Sequence, residues 1–500
     1  MRLNKLTRIL RHPLFIPILL VVLLSIPHPF QKYFEVDEGV YAAVADSMVE
    51  GNLLYKNIWD HKPPLVYVIY SVVGLLGPIN GMFVLRILTI LLKILTVFIF
   101  YKVLKKINVK GKFLLFLLSI FSLLVTLPIF EGNLINIEIF FLPVIAYFIL
   151  RILNQKGSFL DGFLLFIAFC LKFQAFAEIL FIIFAVIIWE IVIERKIDLK
   201  KYFKTFIGFA LPTAILTTIF LATGILTEAF NALIIANFNY VDQTSYFVSL
   251  FGVDIPRKFL ILFFFILALA ITYLKFFSTK NKSTSAFQNF LIVNIILFEI
   301  FIVLYPQRTY PHYLIQLLPG FVLSIYLIYK LVKKSRNSIE RNFKLLLYAF
   351  SIFIVLFVFT ERESVLGKSL SMALSPYFYY SSFFQDPNTI QSLYFQNDNL
   401  AQNVAGYISA NYSDYKNAYL YTSNTWIFTL SNLKYINKYF FYTQMYFSDE
   451  MFLEEKQNML SADVIFLQTD LPIKPSLESE IYNKFIEVEE YKGFKILIKR

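Results

Sequence analysis

The stretch FEVDEGVYAAVADSMVEGNLLYKNIWDHKPPL, residues 34–65, carries six carboxylate side chains in a chain that is otherwise very apolar. It follows an apolar run at about 14–27. Of the 500 residues, 58% are hydrophobic and only 16% are charged, and the mean hydropathy is +0.64. A soluble protein could not bury so much apolar surface, so the composition indicates a polytopic α-helical membrane protein.

Eleven apolar runs approach or reach the ~20 residues that cross a bilayer. They lie at about 14–27, 82–104, 113–130, 134–152, 159–171, 174–193, 204–223, 258–275, 287–305, 313–331 and 343–360. The two runs on either side of Lys172 can also be one long helix that is broken there. The run 64–78 is ambiguous, and the charges of the loops must decide whether it crosses.

Basic residues collect in the cytoplasmic loops of membrane proteins. If the N-terminus is inside and 64–78 does not cross, most loop Lys and Arg residues fall on the cytoplasmic side, whereas a crossing there would move several of these loops outside. We therefore predict about eleven transmembrane helices with the N-terminus inside. The segment 64–78 is a helix in the outer interface or a re-entrant helix, begun by Pro63-Pro64. The net charge of +12 then needs no nucleic-acid partner.

From about residue 376 the chain becomes polar and shows short β-like runs, NAYLYT, ADVIFLQ and FKILIKR, with helix-like segments between them. This alternation predicts a small extracytoplasmic α/β domain. We divide the chain into a transmembrane domain at 1–360, whose first outer loop spans 28–81, and a C-terminal domain at 361–500. The single cysteine excludes an intramolecular disulfide, and the composition is typical of a bacterial inner membrane.

The predicted topology places the unusual polar residues on the outer side. Ionisable groups at membrane depth are costly, so they are functional candidates. Each has a simpler interpretation: Lys172 can snorkel to the interface, His312 can stack on Tyr313, and Glu138 can be an ordinary interfacial acid. The candidates beyond the first outer loop are Glu138, Lys172, Arg308, His312 and Tyr313.

A helix over Asp37–Glu50, turning ~100° per residue, places Asp37 in the middle of an apolar arc. Asp46 and Glu50 lie on the opposite arc, which suits a solvated face. We therefore predict that Asp37 faces the protein or the membrane surface. Asp37 can also be only the N-cap of this helix. The two roles are compatible, because a capping carboxylate is held rigidly, as a positioned base must be.

Three pieces of sequence together resemble the GT-C membrane glycosyltransferases, in the branch related to protein O-mannosyltransferases and lipid A aminoarabinose transferase. The first piece is Asp37-Glu38, followed in the same loop by Asp60-His61-Lys62-Pro63-Pro64. The second is the acid Glu138 in NLINIEIFFLP, and the third is RTYPHYLIQLLPG. DGFLLFIAFCLKFQAF adds weaker support through Lys172. The resemblance covers about residues 1–360 and, more loosely, the C-terminal tail.

The resemblance implies that a sugar is transferred from a polyprenyl-phosphate carrier to an acceptor on the extracytoplasmic side, with inversion at the sugar carbon. It also implies that Asp37 is catalytic and that Lys62 lies near the carrier phosphate. This chain has His61 where aminoarabinose transferases place a glutamate, and Glu138 where those enzymes often have an aspartate. Any metal site of that family is therefore not carried over.

The chemistry of such a transfer needs a base for the acceptor hydroxyl and positive charge for the departing phosphate. We assign Asp37 as the base. Lys62 and Arg308 are the main phosphate contacts, because arginine binds phosphate oxygens bidentately and lysine supplies a point charge. The remaining candidates for substrate contacts are Glu38, Asp60, His61, Glu138, Lys172, His312 and Tyr313.

No cofactor is required by any spacing in the sequence. A divalent cation is compatible with Asp37, His61 and Glu138 as ligand types. The sequence contains no P-loop and no dinucleotide glycine pattern, so use of a nucleotide sugar is not supported. The sugar stays open, and the acceptor can be a lipid, a glycan or a protein.

Two other classes of function remain open. A transporter or flippase of a lipid-linked or small polar substrate would line a path across the membrane with polar residues, often near broken helices. The sequence shows no inverted repeat, and its polar candidates fall on one side, with Lys93 as the main exception within a span. A membrane scaffold or sensor with an outer domain would not need the acids of the first loop.

Overall fold

The computed structural model describes residues 12–26, 28–30, 36–127, 130–154, 157–238, 247–250, 253–279, 281–306, 310–334, 398–431 and 433–500. The chain divides into two compact units. The first unit comprises Met1–Ile26, Leu88–Ile215 and Gln243–Tyr379. The second unit comprises Pro27–Ile87, Leu216–Asp242 and Tyr380–Arg500. The first outer loop and the C-terminal residues therefore belong to the same unit.

The described part of the chain is mostly helical. Its helices up to residue 334 are α1 (Phe15–Ser25), α2 (Val36–Val49), α3 (Leu65–Leu76), α4 (Pro78–Lys106), α5 (Gly111–Leu124), α6 (Ile137–Leu153), α7 (Phe159–Leu171), α8 (Phe173–Trp189), α9 (Leu199–Ala222), α10 (Leu226–Phe230), α11 (Arg257–Thr279), α12 (Thr284–Leu304), α13 (Tyr313–Gln316) and α14 (Leu318–Lys334). A short hairpin, β1 (Phe247–Leu250) and β2 (Val253–Pro256), precedes α11.

The structure has helices at the first ten predicted spans, and the eleventh, 343–360, lies outside the described residues. Five of the described helical segments are long and apolar enough to cross a membrane. They are Pro78–Lys106, Phe173–Glu194, Leu199–Ala222, Arg257–Thr279 and Thr284–Leu304. The helical membrane class is therefore supported, while the count of eleven spans and their orientation stay predictions.

The helix α3 follows Pro63-Pro64 as the sequence predicts. Pro64 occupies its N-cap, and Gly77 ends it with φ of +77°. Its 12 residues cover ~18 Å at 1.5 Å per residue, which is less than the ~30 Å of a bilayer core. Three helices at predicted spans, α1, α5 and α7, are similarly short, so the non-crossing interpretation of 64–78 stays a prediction.

Aromatic rings hold the first unit together around α12. Phe298 is buried in this helix, and Phe181 of α8 stacks on it with 4.3 Å between ring centroids. Phe265 of α11 stacks on Phe301 at 4.2 Å. Lipid tails are as apolar as these side chains, so close packing rather than escape from water must hold such helices together. The high phenylalanine content supplies that packing area.

The second unit contains the predicted α/β segment. Its elements are α15 (Asp398–Asn411), β3 (Ala418–Tyr421), α16 (Trp426–Leu430), α17 (Asp449–Ser461), β4 (Val464–Gln468), α18 (Pro475–Lys484), β5 (Phe485–Tyr491) and β6 (Phe494–Lys499). The sheet order is β3-β4-β6-β5, with β3 parallel to β4 and the other two pairs antiparallel. The three predicted strands and the two predicted helices are confirmed. The boundary predicted between residues 360 and 361 lies outside the described residues.

Candidate functional site

Asp37 and Lys62 lie together in the second unit. The Nζ of Lys62 is 3.9 Å from Oδ2 of Asp37. Tyr41, one helical turn after Asp37, donates its hydroxyl to the same oxygen at 3.3 Å, and its ring centroid is 5.9 Å from Nζ of Lys62. We call these three residues the Asp37 cluster. The structure thus brings the predicted base and the predicted phosphate contact into one place.

Asp37 is in the first turn of α2, which begins at Val36, so it is not the N-cap. The positive end of a helix dipole favours a carboxylate there. Asp37 does face protein groups, Tyr41 and Lys62, but it is not the most buried acid of this helix. Its side chain is 38% exposed, whereas Glu38 is fully buried.

Glu38 is buried because α2 has neighbours on more than one side. Its Oε2 accepts a hydrogen bond from the guanidinium of Arg86 at 3.1 Å, and both side chains are shielded from water. The helix packs against α3 and α16, so the eight residues from Glu38 to Ala45 are all buried. A two-face pattern therefore does not describe this helix.

Asp46 also departs from the prediction of a solvated face. It is half-buried beside Gly74 of α3, while Glu50 is exposed as predicted. Burial, and secondarily the charge of Glu50, raise the pKa of Asp46 to about 6.

The segment that carries Lys62 is fixed by hydrogen bonds on both sides of the residue. The hydroxyl of Tyr55 donates to the carbonyl of Lys62 at 2.9 Å, and Asn237 donates to the carbonyl of His61 at 2.7 Å. Asp60 is buried and accepts from the backbone N–H of His61 at 2.7 Å and from the amide of Gln444 at 3.2 Å. Lys62 is therefore presented from a rigid loop.

Asp60 serves to position this loop. Burial on its own would raise the pKa of its carboxyl, but the charge and hydrogen bond of His61, together with the charge of Lys62, lower the pKa below its ordinary value. Oδ1 of Asp60 lies 3.0 Å from Nδ1 of His61. Asp60 thus sets the orientation of His61.

Residues of the C-terminal segment complete these surroundings, although no sequence motif indicates them. The backbone N–H of Trp59 donates to the carbonyl of Lys438 at 2.8 Å. The ring of Phe447 lies 5.8 Å from Trp59 and 6.0 Å from His61. Nothing in the sequence marks Lys438, Gln444 or Phe447, because their importance comes only from their placement beside the first loop.

Lys172 and Glu138 form an ion pair in the first unit. The Nζ of Lys172 donates a hydrogen bond to Oε1 of Glu138 and lies 4.3 Å from the ring centroid of Tyr313. Both charged side chains are buried, so Lys172 does not behave as a snorkelling residue. It has an extended backbone between α7 and α8, and these two helices pack against each other. The two apolar runs are therefore separate helices that meet at Lys172.

His312 lies beside this ion pair. Its Nδ1 is 2.7 Å from Oε2 of Glu131, and its ring stacks on Tyr310 and meets Tyr313 edge to face at 4.9 Å. Glu138 interacts electrostatically with both Lys172 and His312, and the interaction with Lys172 is the stronger one. We call Glu131, Glu138, Lys172, His312 and Tyr313 the Lys172 cluster.

Some predicted contacts cannot be placed in either cluster. Arg308 lies outside the described residues. Among the residues that the structure describes, no group of three or more His, Cys, Asp or Glu side chains could hold a metal ion. Of the residue types considered for a cation, Asp37 and His61 belong to the second unit and Glu138 to the first.

Two acids within the helices of the first unit were also missed. Glu178 of α8 and Glu299 of α12 are completely buried. Oε2 of Glu178 accepts from Gln316 at 2.7 Å, and Oε2 of Glu299 accepts from the N–H of Gly320 at 2.8 Å. The other oxygen of each has no hydrogen-bond partner within the described ranges. The sequence does carry a signal for them, since each is an acid within an apolar run.

Comparison of the chain with models of known protein families finds no match, and comparison with curated proteins finds none either. Function is therefore inferred from the residues, their geometry and the resemblance of the three sequence pieces.

Proposed function

We propose that the protein is a membrane glycosyltransferase that moves a sugar from a polyprenyl-phosphate carrier to an acceptor hydroxyl at the extracytoplasmic face, with inversion. The observation that supports this most directly is the pair formed by Asp37 and Lys62, 3.9 Å apart. It combines a partly exposed carboxylate with an ammonium on a rigid loop. The sequence resemblance assigns the catalytic role to the same aspartate.

The proposed reaction uses both members of the pair. The acceptor oxygen attacks the anomeric carbon while its proton passes to the carboxylate of Asp37, and the bond from that carbon to the phosphate oxygen breaks. The carrier leaves as a polyprenyl phosphate, whose negative charge is stabilised by Lys62. Phosphate is a good leaving group, so no general acid is needed.

The geometry of the Asp37 cluster suits these roles. Tyr41 fixes one oxygen of Asp37 by a hydrogen bond, and 38% of the Asp37 side chain stays exposed to receive an acceptor. The separation of 3.9 Å from Lys62 exceeds that of a close charged hydrogen bond, which is ~2.7–2.9 Å. The side chain of Lys62 is itself 18% exposed, so a phosphate can approach its ammonium group.

The roles assigned from the sequence to residues of the first unit stay predictions: Glu138 for hydroxyl groups, and Lys172 with His312 for phosphate charge. The same proposal includes Arg308 as a phosphate contact. It also includes eleven membrane spans with the N-terminus inside, and a multi-pass location in a bacterial cell membrane. The joint membership of the first outer loop and the C-terminal residues in one unit supports their being on the same side.

A transporter or flippase is the second candidate. Glu178 and Glu299 favour it, because buried acids inside membrane helices often mark paths for ions or polar substrates. Uptake of a labelled substrate into vesicles that lack any acceptor would support this candidate.

The purified full-length protein, supplied with a panel of polyprenyl-phosphate sugars and acceptors, tests the proposal. We expect the wild type to release polyprenyl phosphate and Asp37→Asn to release it ~10²–10⁴-fold more slowly. Asp46→Asn, which changes another acid of the same helix, is the matched control and should keep its rate. Equal rates for wild type and Asp37→Asn would contradict the assignment.

A further inference from the structure

A cavity of about 590 Å³ opens in the first unit at the ends of three helices. Ligand pockets commonly have volumes of ~300–1,000 Å³. The residues that line it are Ile107, Asn108, Thr284, Ser285, Gln288, Tyr326, Tyr329, Lys330 and Lys333. Two of these nine are lysines and none is acidic, so the cavity favours an anion.

Hydrogen bonds between the helices hold the wall of the cavity in shape. The hydroxyl of Tyr326 donates to the carbonyl of Ile107 at 3.0 Å, and Gln288 donates to the carbonyl of Lys106 at 3.2 Å. Lys330 donates to Ser285 at 3.1 Å. The turn after α4, the start of α12 and the end of α14 are therefore joined around a preformed space.

The two lysines and the helix start point to the same ligand chemistry. Lys330 and Lys333 are three residues apart on α14 and so lie on one face. Thr284 and Ser285 are in the first turn of α12, which is capped by the side chain of Ser283, and the positive end of the helix dipole attracts anions there. Hydroxyl, amide and ammonium groups can all donate hydrogen bonds to phosphate oxygens.

The position of the cavity favours a lipid as the source of that phosphate. It lies at the start of α12 and the end of α14, where apolar helices become polar, and the exposed lysines Lys105, Lys106 and Lys110 are close along the chain. The Lys172 cluster is at the other end of α14, next to Tyr313. Tyrosines such as Tyr326 and Tyr329 are typical of the membrane interface.

We propose that this cavity binds the phosphate head group of an anionic membrane lipid, in the leaflet opposite to the one that faces the Lys172 cluster. Basic pockets between membrane helices on the cytoplasmic side bind anionic lipid head groups through the charge of their lysines. The site is separate from the proposed glycosyl transfer and does not depend on it.

The test measures thermal unfolding of the full-length protein in detergent, with added short-chain phosphatidylglycerol, phosphatidylcholine or inorganic phosphate. A ligand that binds only the folded state raises the unfolding temperature. We expect phosphatidylglycerol to stabilise the wild type and the other two to have little effect. The double change Lys330→Gln with Lys333→Gln should weaken phosphatidylglycerol binding about thirtyfold.

The double change Lys196→Gln with Lys200→Gln removes the same charge from exposed positions outside the cavity and should leave binding intact. Lys333→Glu gives an independent check, because this side chain is exposed and its replacement should not affect folding. Equal binding by the cavity variants and the control would overturn the proposal. Stabilisation by inorganic phosphate as strong as that by phosphatidylglycerol would overturn the lipid as its source.

Discussion

Asp37 and Glu38 are consecutive residues of α2 with opposite surroundings. Glu38 is sealed against Arg86, where neither side chain is reached by water. Asp37 remains partly exposed beside Lys62 and Tyr41. A buried ion pair mainly maintains structure, whereas a partly exposed carboxylate can be reached by a substrate. The two acids should therefore respond differently to substitution.

We expect Arg86→Met to destabilise the protein by ~3–5 kcal/mol, because it leaves the buried carboxylate of Glu38 without this charged partner. Asp37→Asn should change the unfolding temperature little, since its side chain is partly exposed. Thermal unfolding of both variants in detergent checks this difference. A similar unfolding temperature for Arg86→Met and the wild type would show that the pair is not needed for stability.

The buried carboxyl of Glu455, in α17, should make the folding stability of this region depend on pH. Burial raises its pKa from 4.5 to about 7, against hydrogen bonds from Asn458 and Tyr419 that lower it. The folded state then holds the proton more tightly than the unfolded state, so stability falls as pH rises from 4.5 through 7. At 1.36 kcal/mol per pKa unit, the loss is ~3 kcal/mol.

The replacement Glu455→Gln removes this titration and keeps the hydrogen-bonding shape. Hydrogen exchange of the β4 amides in the full-length protein measures the stability of this region between pH 5 and pH 8. We expect protection to fall with pH in the wild type and to fall less in Glu455→Gln. The same slope in both proteins would contradict the linkage.

At the scale of elements, the contact between α2 and α16 joins the first outer loop to the C-terminal residues. Thr425 donates to the carbonyl of Val36 at 2.8 Å. A Cβ on Gly39 would lie 2.3 Å from Oγ1 of Thr425 and 2.9 Å from the backbone nitrogen of Trp426. Because that nitrogen belongs to the backbone, it cannot move aside as a side chain would.

Gly39→Ala should therefore separate α16 from α2, lower the unfolding temperature and lower any transfer activity that depends on Asp37. The control is Gly406→Ala in α15, where a Cβ would meet no atom within 4 Å. Alanine favours a helix over glycine by ~1 kcal/mol, so the control should be neutral or stabilising. Limited proteolysis and thermal unfolding compare the two variants. Equal effects of the two changes would exclude the close approach at Gly39.

The sequence predicts the apolar helices well, because runs such as 82–104 and 287–305 are long and uninterrupted. It misses β5, since FIEVEEY is a mostly exposed strand with charged side chains at the sheet edge. Charged side chains are typical of edge strands, and in β5 they obscure the apolar alternation from which a strand is predicted. The pairing of Asp37 with Lys62 could be expected only from the family resemblance. The roles of Gly39 and Gln444 depend on contacts far apart in sequence, which periodicity cannot show.

At the scale of the whole molecule, the predicted topology fixes which exposed residues lie on each side of the membrane. Lys110 and Lys492 are both exposed, and they should lie on opposite sides. Cysteine placed at each position, in a chain with Cys170→Ala, can be labelled in intact cells by a maleimide that does not cross membranes. We expect labelling at position 492 and none at position 110 until the membrane is opened. The reverse pattern would invert the topology.

The proposed proton-accepting role of Asp37 is tested most directly by a single-turnover measurement. Carrier binding and release of polyprenyl phosphate are followed side by side for the wild type and Asp37→Asn, with the carrier at saturating concentration. We predict that Asp37→Asn binds the carrier as the wild type does and releases polyprenyl phosphate at least ~100-fold more slowly. Release at the wild-type rate would contradict the role of Asp37 as the base.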